Sequence, residues 1–566
     1  MRTIADVKGR IASARNVVIV YPYTYVNPYN CLPPIAAEYL QAGIVASGKR
    51  ALLLDMRFED RIDDRVRDAD IVCLYGYFED CTIFGRWGHH VIDRVLDIVP
   101  PGTPVIAGGT GFSDPDAALE AHGRVDLILR GSPDHPIREL LAGTDPEETP
   151  NVVFRTPEGL VRTPRVVYPL SEKIYPRREL RNPRYRYHVI GLEVDLIRAG
   201  VGCNYRCRFC YQYGKDSDGA FLRWQGRSAD SVCRELAEIS APIVYWIDDD
   251  MTTDMDLLDD IAETLIRKRI RKLYIGTGRL DHVLKGGVDT LIKLEKAGLL
   301  VLGFGVESLK QETLRFYGKG LTIDRIEQAM AMMRKTNVLL FCNFLFGSPG
   351  ETEEDMIEYL WFGHKWGVDT LVTNRLRVQK GSTMHEAMHD GDTGEPLPGM
   401  ERITGKELER IKLTVKFAQR TPPRIALSFI KLYRHQGMVI DPLTVFCSLI
   451  ETLIQGTAVE KTLLVPFLLR SGKRIGANPV VNQLLRLCAI VSYPFVRVAD
   501  RLFHRVDRRF GISTKYVAGL FVSFKERVYE KQKRRAQLKR SAADSGATST
   551  NGAAHSMPVS ERVLTE

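Results

Sequence analysis

Two series of short β-branched segments, each alternating with helical patterns, constrain the fold of this chain more than any other feature. The first series lies within residues 17–131 and contains the runs VVIVY, ALLLD, IVCLY, PVIAGG and DLILRG. Strands that alternate with helices predict an α/β fold, here a doubly wound, Rossmann-like parallel sheet. Several runs end in Gly or Asp, which favour tight turns at the carboxyl edge, where such sheets bind ligands.

The second series begins near Leu192 and ends near Met388. Its six strand candidates are EVDLIRAG, PIVYWID, KLYIGTG, LLVLGFG, VLLFCNFLFG and TLVTNRLRV. Six βα units favour an open, partial (β/α)6 barrel over a complete eight-fold barrel. From about Glu401 the strand pattern stops, and the sequence becomes helical, apolar and basic.

A chain of 566 residues is long enough for several domains. We predict a Rossmann-like domain (residues 1–145), a linker rich in Pro and Arg (146–190), the barrel (191–395), a basic helical C-terminal region (396–530) and a disordered tail (531–566). No stretch reaches the roughly 18 apolar residues that span a bilayer, and the N-terminus shows no export signal. These features predict a cytoplasmic protein.

Three of the ten cysteines form one tight group, CNYRCRFC, in which Cys203, Cys207 and Cys210 have the spacing C-x3-C-x2-C. The group follows a predicted strand directly. Thiolates are the usual ligands of iron–sulfur clusters, and three of them leave one iron of a four-iron cluster open to a small molecule. Zinc requires four N or S ligands, and the next cysteine, Cys233, lies in a helical stretch. Zinc and coincidental structural thiols remain the alternatives.

The cysteine group resembles that of the radical S-adenosylmethionine (SAM) superfamily, whose pattern is C-x3-C-x-aromatic-C. The resemblance implies a [4Fe-4S] cluster held by Cys203, Cys207 and Cys210, with SAM on the open iron. Phe209 occupies the aromatic position and is expected to lie against the adenine of SAM.

Further segments resemble strand-end motifs of the same superfamily. They are IDDDMTTD (247–254), GTGRLD (276–281), GFGVESLKQETLRFYGKGLT (303–322) and FLFGSPGETEED (344–355). By this resemblance Asp248, Arg279 and Glu307 are expected to hold the amino, carboxylate and ribose groups of SAM. A helix cap or an ordinary turn remains the alternative for these segments. At the sixth strand the family often has Pro-x-Pro-Gly-Thr, whereas this chain has VQKGSTMHEA (378–387), which leaves the substrate contacts open.

The N-terminal domain resembles that of the cobalamin-binding branch of the superfamily, which includes C-methylases and anaerobic ring-forming enzymes. In VIAGGTGF, Gly108 and Gly109 are expected to let the corrin approach the backbone. The motif Asp-x-His-x-x-Gly, which supplies a histidine to cobalt, is absent because Asp55 is followed by MRFED. The resemblance therefore implies cobalamin without a histidine ligand. A Rossmann-like domain that has lost or exchanged its ligand is the alternative.

The formal net charge of +9 is concentrated towards the C-terminal end, from about Arg402 to Arg540. Apolar and basic residues mixed in this way predict peripheral contact with the inner face of a membrane. A helical domain packed on the barrel is the alternative. Basic charge alone is weak evidence for nucleic acid, and we expect no such partner.

The resemblance implies an enzyme in which a reduced cluster cleaves SAM, and the resulting radical abstracts hydrogen from an unactivated carbon. Together with cobalamin, it implies C-methylation, and the apolar, basic C-terminal region favours a lipid or another hydrophobic small molecule as the substrate. The alternatives are radical ring closure or C–C bond formation without methyl transfer, and, outside catalysis, an iron–sulfur electron carrier or a cobalamin sensor. A carrier would favour four cysteine ligands, so the open site favours catalysis. A flavodoxin or ferredoxin is the expected reducing partner, and no individual catalytic residue is predicted.

Overall fold

The computed structural model describes residues 3–22, 32–59, 62–76, 85–109, 112, 114–189, 192–210, 223–378, 383–389 and 395–418, with four helical residues between 491 and 498. Apart from those four residues, the predicted helical region beyond 418 lies outside the described residues. The predicted tail, 531–566, lies outside them as well.

The first sheet has seven strands: β1 (Asn16–Tyr21), β2 (Arg50–Asp55), β3 (Ile71–Tyr75), β4 (Val105–Gly108), β5 (Leu127–Leu129), β6 (Val152–Thr156) and β7 (Gly159–Arg162). Their order is β2-β1-β3-β4-β5-β6-β7, and the first five are parallel. The parallel α/β sheet predicted for this part of the chain is confirmed. The strand order reverses at β1, so the carboxyl ends of β1 and β3 form a topological switch point, where open sheets bind ligands.

Six α-helices accompany this sheet in the described residues: α1 (Lys8–Ser13), α2 (Ile35–Ala46), α3 (Asp63–Arg67), α4 (Gly85–Ile98), α5 (Pro115–Ala121) and α6 (Asp134–Ala142). Local sequence sets where they begin and end. Asp114 caps α5 by accepting the Ala117 N–H at 3.2 Å, and Pro115 follows at the first helical position, where its missing N–H costs nothing. Gly143 ends α6 in the left-handed conformation.

The first sheet extends further along the chain than the sequence predicts. Residues 152–162 fall within the predicted linker, 146–190, but they form the antiparallel strands β6 and β7. The prediction of a linker rests on the high Pro and Arg content of this stretch. It misses the sequence pattern of a β-hairpin, in which the turn residues TPEG separate two β-branched runs. Gly159, at φ 138°, completes the turn. β6 buries Val152, Val153 and Phe154 completely, which ties the hairpin to the first core.

The second sheet also has seven strands: β8 (Tyr187–Val189), β9 (Leu192–Ile197), β12 (Ile243–Trp246), β13 (Leu273–Gly278), β14 (Leu299–Glu307), β15 (Leu339–Phe346) and β16 (Thr370–Arg375). A separate ribbon pairs β10 (Gly200–Val201) with β11 (Gln225–Gly226). The six strands from β9 to β16 are parallel and lie in chain order, with β8 antiparallel at the edge. The six predicted strands are present, and their curvature into a partial barrel stays a prediction.

Helices alternate with these strands: α7 (Ala229–Glu238), α8 (Met255–Arg267), α9 (Leu280–Ala297), α10 (Gln311–Phe316), α11 (Ile323–Met333), α12 (Glu353–Trp366), α13 (Thr383–Glu386) and α14 (Gly405–Ala418). Ser228, Asp254, Thr322 and Thr352 cap α7, α8, α11 and α12 through their side chains. The capping role of Thr352 agrees with the alternative interpretation of the segment GSPGET as a turn followed by a helix cap. None of the described helices combines the length and the apolar character that a membrane crossing requires.

A segment between the two sheets, residues 172–187, connects them through buried polar contacts, and we call it the bridging segment. The Arg181 guanidinium pairs with Glu38 on α2 at 2.6 Å and with Asp195 on β9 at 2.9 Å. The Arg181 side chain is only 3% exposed. Burial opposes its charge, but the two carboxylates raise its pKa above the ordinary value. One cation therefore holds an element of each sheet.

Other residues of the bridging segment reinforce this junction. Arg178 pairs with Asp195 at 3.0 Å and with Glu235 on α7 at 2.7 Å. The Tyr185 hydroxyl donates to Glu59 at 2.9 Å and accepts the Asp55 N–H at 3.2 Å. The segment therefore has contacts both with the end of β2 and with the beginning of the second sheet.

Asp248, two residues beyond β12, connects the loops that follow the first two parallel strands of the second sheet. Its Oδ1 accepts the Ala199 N–H at 2.8 Å. The residue is 5% exposed, and burial raises the pKa of its carboxyl group to about 7. At neutral pH a carboxyl group with this pKa is present in both its protonated and its ionised form.

We expect Arg181→Met to destabilise the protein by about 3–5 kcal/mol, because it leaves Glu38 buried without its ion partner. Urea unfolding followed by circular dichroism measures the change. Arg177→Met is the matched control on the same segment, since Arg177 forms an exposed pair with Glu179 and its loss should change stability little. Equal unfolding midpoints for the two variants would contradict the role assigned to Arg181.

Asp248 gives the protein a defined pH dependence. A carboxyl group whose pKa rises on folding contributes stability below its unfolded pKa, about 4, and loses that contribution as the pH rises through its folded pKa. Asp248→Asn keeps an acceptor for Ala199 but removes the titration. We expect the stability of Asp248→Asn relative to the parent to increase between about pH 4 and about pH 7 and to level off above. Urea unfolding at several pH values measures the difference in stability between Asp248→Asn and the parent. A difference that stays constant across this pH range would show that burial does not raise the pKa of Asp248.

Candidate active site at the strand ends of the second sheet

The three clustered cysteines lie on one loop, residues 203–210, which directly follows β10 and which we call the cysteine loop. Cys207 is 6% exposed, and Cys203 and Cys210 are half-buried. The Cys210 N–H donates to the Cys207 carbonyl at 3.0 Å, which turns the chain. The Arg208 N–H donates to the Tyr317 carbonyl at 2.9 Å, which attaches the loop to the end of α10. One anchored loop thus presents three thiols that form no disulfide.

The donor chemistry of this loop fits an iron–sulfur cluster, because thiolates are the ligands such clusters use. Burial raises the pKa of the Cys203 thiol to about 11. The other described cysteines, Cys73, Cys233 and Cys342, are buried in apolar cores. Among the described residues, no three His, Cys, Asp or Glu side chains converge as metal ligands would. The assignment of the three cysteines to a cluster stays a prediction that their chemistry and common loop support.

Arg279, at the end of β13, is a charged residue in direct contact with the cysteine loop. Its Nη1 lies 3.9 Å from the Sγ of Cys207, and its guanidinium carbon lies 3.5 Å from the centre of the Tyr205 ring. Its Nε donates to Asp281 at 3.0 Å, and its Nη2 donates to the Lys319 carbonyl at 2.6 Å. The predicted Arg279 is therefore at the cysteines, 5% exposed and held from several sides.

A polar network extends from Arg279 beneath the cysteine loop. The Tyr205 hydroxyl lies 2.8 Å from both Asp281 Oδ2 and His282 Nε2. The His282 Nδ1 lies 3.0 Å from Asp250 Oδ2, beyond the end of β12. Burial opposes ionisation of Asp281, yet the Arg279 guanidinium holds the pKa of Asp281 below its usual value. The network therefore connects the loop to the ends of two neighbouring strands.

Glu307 lies at the end of β14 in a conformation that side chains rarely adopt, with φ 71°. Its carboxylate accepts from the Lys319 ammonium at 3.0 Å, and both residues are buried. A Cβ at Gly305 would collide with the Glu307 carboxylate and the Lys319 ammonium, so glycine makes room for this pair. Such local strain is often found at functional sites. The pair occupies the edge at which the sequence predicts a contact with SAM.

Phe209 connects this ion pair with an apolar region. Its ring meets the Tyr317 ring edge-on, with centroids 5.0 Å apart, and the Lys319 ammonium lies 5.6 Å from its centre. The Tyr317 hydroxyl lies 2.6 Å from the Ser348 hydroxyl. Phe209 also packs against a cluster of apolar side chains, which are Tyr317, Leu345, Leu376, Met384 and Met388.

Most of the residues that the sequence analysis predicts to bind the cluster or SAM are neighbours in the structure. Arg279 contacts Cys207, while Lys319 lies close to both Phe209 and Glu307. Asp248 is engaged with the backbone of Ala199 instead. The sequence analysis missed several residues that hold the site together, namely Tyr205, Asp250, Asp281, His282, Tyr317 and Lys319. Each of them lies within or beside a segment that the sequence analysis identified. Contacts between residues at different strand ends cannot be predicted from the spacing of residues along the chain.

The glycines predicted to face a corrin have close protein neighbours. A Cβ at Gly108 would lie 2.7 Å from the Tyr75 ring, and one at Gly109 would collide with the Gly76 carbonyl. In the structure these two glycines therefore allow the end of β4 to lie close to the end of β3. Asp55, where the family can carry Asp-x-His, is paired at 2.6 Å with Arg57. The residues 23–31, 60–61 and 77–84, which follow β1, β2 and β3, lie outside the described part of the chain.

Comparisons with known proteins match part of this chain to a family. Residues 197–362 match the model of the Radical SAM superfamily. The hopanoid C-3 methylase of Methylococcus capsulatus is 23% identical over 357 residues, which cover 60% of this chain and 66% of the methylase. The anaerobic magnesium-protoporphyrin IX monomethyl ester cyclase of Synechocystis is 21% identical over 353 residues, which cover 59% of this chain and 68% of the cyclase.

A solved structure shares the fold. The radical SAM methyltransferase TsrM of Kitasatospora setae, with cobalamin and a [4Fe-4S] cluster bound, superposes with a TM-score of 0.52 at 20% identity. The match covers 66% of this chain and 74% of TsrM. The chain spans 58–68% of the length of three curated relatives that it matches. The family match and the anchored cysteine loop agree: the chain carries a radical SAM domain over residues 197–362, and the cysteine loop lies within it.

Proposed function

We propose that this chain reductively cleaves SAM at a [4Fe-4S] cluster held by Cys203, Cys207 and Cys210, in order to abstract hydrogen from an unactivated carbon. The observation that carries the proposal is the cysteine loop itself. It presents three thiols and no fourth among its residues, at the carboxyl edge of six parallel strands, with a buried arginine at one sulfur. Parallel α/β sheets bind their ligands at this edge. When bound, the cluster supplies one electron to SAM from a reduced flavodoxin or ferredoxin.

The protein side chains orient SAM and keep water away. Phe209 offers an aromatic face next to the cysteine loop, with Tyr317 fixing its position. The buried pair of Glu307 and Lys319 supplies a carboxylate and an ammonium beside that ring, which suits the hydroxyl groups of a ribose. Asp248 orders the backbone after β9 and is not in contact with these groups in the structure. Cofactor chemistry then depends on the orientation that these residues impose.

The overall reaction that we favour is cobalamin-dependent C-methylation of a lipid or another hydrophobic metabolite. The fold shared with a cobalamin-bound methyltransferase supports the second cofactor, which would supply the methyl group. The apolar cluster beside Phe209 supports a hydrophobic substrate, because Phe316, Val378 and Met400 pack against the same cluster and are only partly buried. The likeness to a hopanoid methylase points in the same direction.

Radical ring closure without methyl transfer is the second candidate. The likeness to an anaerobic cyclase, over as much of this chain as the likeness to the methylase, favours it specifically. Both reactions begin with the same cleavage of SAM, and methylation consumes a second SAM as the source of the methyl group.

The cluster assignment predicts the behaviour of two cysteine variants. After anaerobic reconstitution and reduction, the parent should show the electron paramagnetic resonance (EPR) signal of a [4Fe-4S] cluster, and SAM should change that signal and be cleaved. Cys207→Ala should lose both the cluster and the cleavage, since two thiolates cannot hold it. Cys233→Ala is the matched control, because Cys233 is a buried cysteine in the core of the same domain and should leave both intact. Undiminished SAM cleavage by Cys207→Ala would refute the assignment.

The products of SAM separate the two candidate reactions. Methylation consumes a second SAM to restore the methyl donor, so turnover should yield S-adenosylhomocysteine together with 5′-deoxyadenosine. Liquid chromatography with mass spectrometry of reactions containing cobalamin and lipid extract measures both. Deoxyadenosine alone, with a substrate that is oxidised or unchanged in mass, would overturn the methylase proposal in favour of ring closure.

A further inference from the structure

The hydrogen-bonding capacity of Arg279 is almost entirely used by the protein. A guanidinium has five N–H groups. Nε donates to Asp281 Oδ1, Nη2 donates to the Lys319 carbonyl and lies 3.3 Å from Asp281 Oδ2, and Nη1 contacts the Cys207 sulfur. The Tyr205 ring covers one face of the group. Little of Arg279 is left to bind the carboxylate of SAM, which is the role that the sequence predicts for it.

We infer that Arg279 is a positioning residue that acts on the iron–sulfur cluster through the Cys207 sulfur, and that it is not a ligand of SAM. The inference rests on the proposed function, since it presupposes a cluster on Cys207. A cation that donates a hydrogen bond to a ligating sulfur stabilises the reduced cluster, because reduction adds negative charge next to it. Arg279 therefore raises the reduction potential of the cluster and makes its reduction by the electron donor easier.

The network below the loop fixes the geometry on which this effect depends. Tyr205 belongs to the cysteine loop, stacks on Arg279 and has its hydroxyl between Asp281 and His282. His282 in turn lies against Asp250. Among the described residues, the guanidinium of Arg279 contacts the Tyr205 ring, the Asp281 carboxylate, the Lys319 carbonyl and the Cys207 sulfur. The Asp281 carboxylate holds the guanidinium in place, so the sulfur remains within reach of Nη1.

The test compares two measurements on reconstituted full-length protein. The first is the midpoint potential of the cluster without SAM, from an EPR-monitored redox titration. The second is the dissociation constant of SAM. Arg279→Met should shift the potential to more negative values and change the SAM affinity by less than about threefold. A guanidinium bound to the SAM carboxylate would cost about tenfold or more when removed.

Two further variants keep the test decisive if Arg279→Met assembles no cluster. Arg279→Lys keeps the charge but cannot span Cys207, Asp281 and the Lys319 carbonyl, so it should shift the potential partly in the same direction. Tyr205→Phe keeps the stacked ring but loses the hydroxyl, and should give a smaller negative shift. SAM affinity should remain near that of the parent in both.

Several results would overturn the inference. An unchanged potential in Arg279→Met, or in Arg279→Lys where the methionine variant lacks a cluster, would exclude the action on the cluster. A tenfold or greater loss of SAM affinity with an unchanged potential would show that Arg279 binds the carboxylate of SAM. A parent protein that assembles no cluster would overturn the proposed function together with this inference, whereas a parent with a SAM-responsive cluster and insensitive Arg279 variants overturns this inference alone.

Discussion

The contact between the buried Arg279 guanidinium and the cysteine loop is the interaction on which the candidate site depends. Through it the end of β13, the turn after α10 and the loop meet at one cation. A buried cation is costly unless it is paired and fully hydrogen-bonded. Asp281 and the Lys319 carbonyl meet that requirement, so the arrangement leaves few alternatives for the position of the loop.

The fold explains why so many short segments meet there. In a sheet of parallel strands in chain order, every carboxyl end lies on the same edge, and residues from four strand ends become neighbours although they are far apart in sequence. The bridging segment then sets the first sheet against the second through Arg181 and Tyr185. Under the proposed function, with a cofactor on the first sheet and a cluster on the second, the two could serve one substrate only if such a junction is maintained.

Much of this architecture could be predicted because parallel strands produce apolar runs of regular spacing, and because the cysteine loop has an unusual local pattern. The hairpin of β6 and β7 was missed because its Pro and Arg content outweighed a weak turn signal. At the site, the sequence located the neighbourhoods of Arg279 and Glu307 but not their partners, since Lys319 and Tyr205 reach them across turns and strand ends. Asp248 shows the same limit, because its contact with the Ala199 backbone depends on the register of two loops.

The central claim is that the cysteine loop holds a four-iron cluster with one iron open to SAM. Mössbauer spectroscopy of protein reconstituted with isotopically enriched iron tests it most directly. The spectrum reports on the iron sites of the cluster themselves and does not depend on enzymatic turnover. The account predicts a [4Fe-4S] spectrum in which one iron site changes its parameters when SAM is added and the other three do not. A spectrum without a four-iron cluster, or one in which SAM changes no iron, would contradict it.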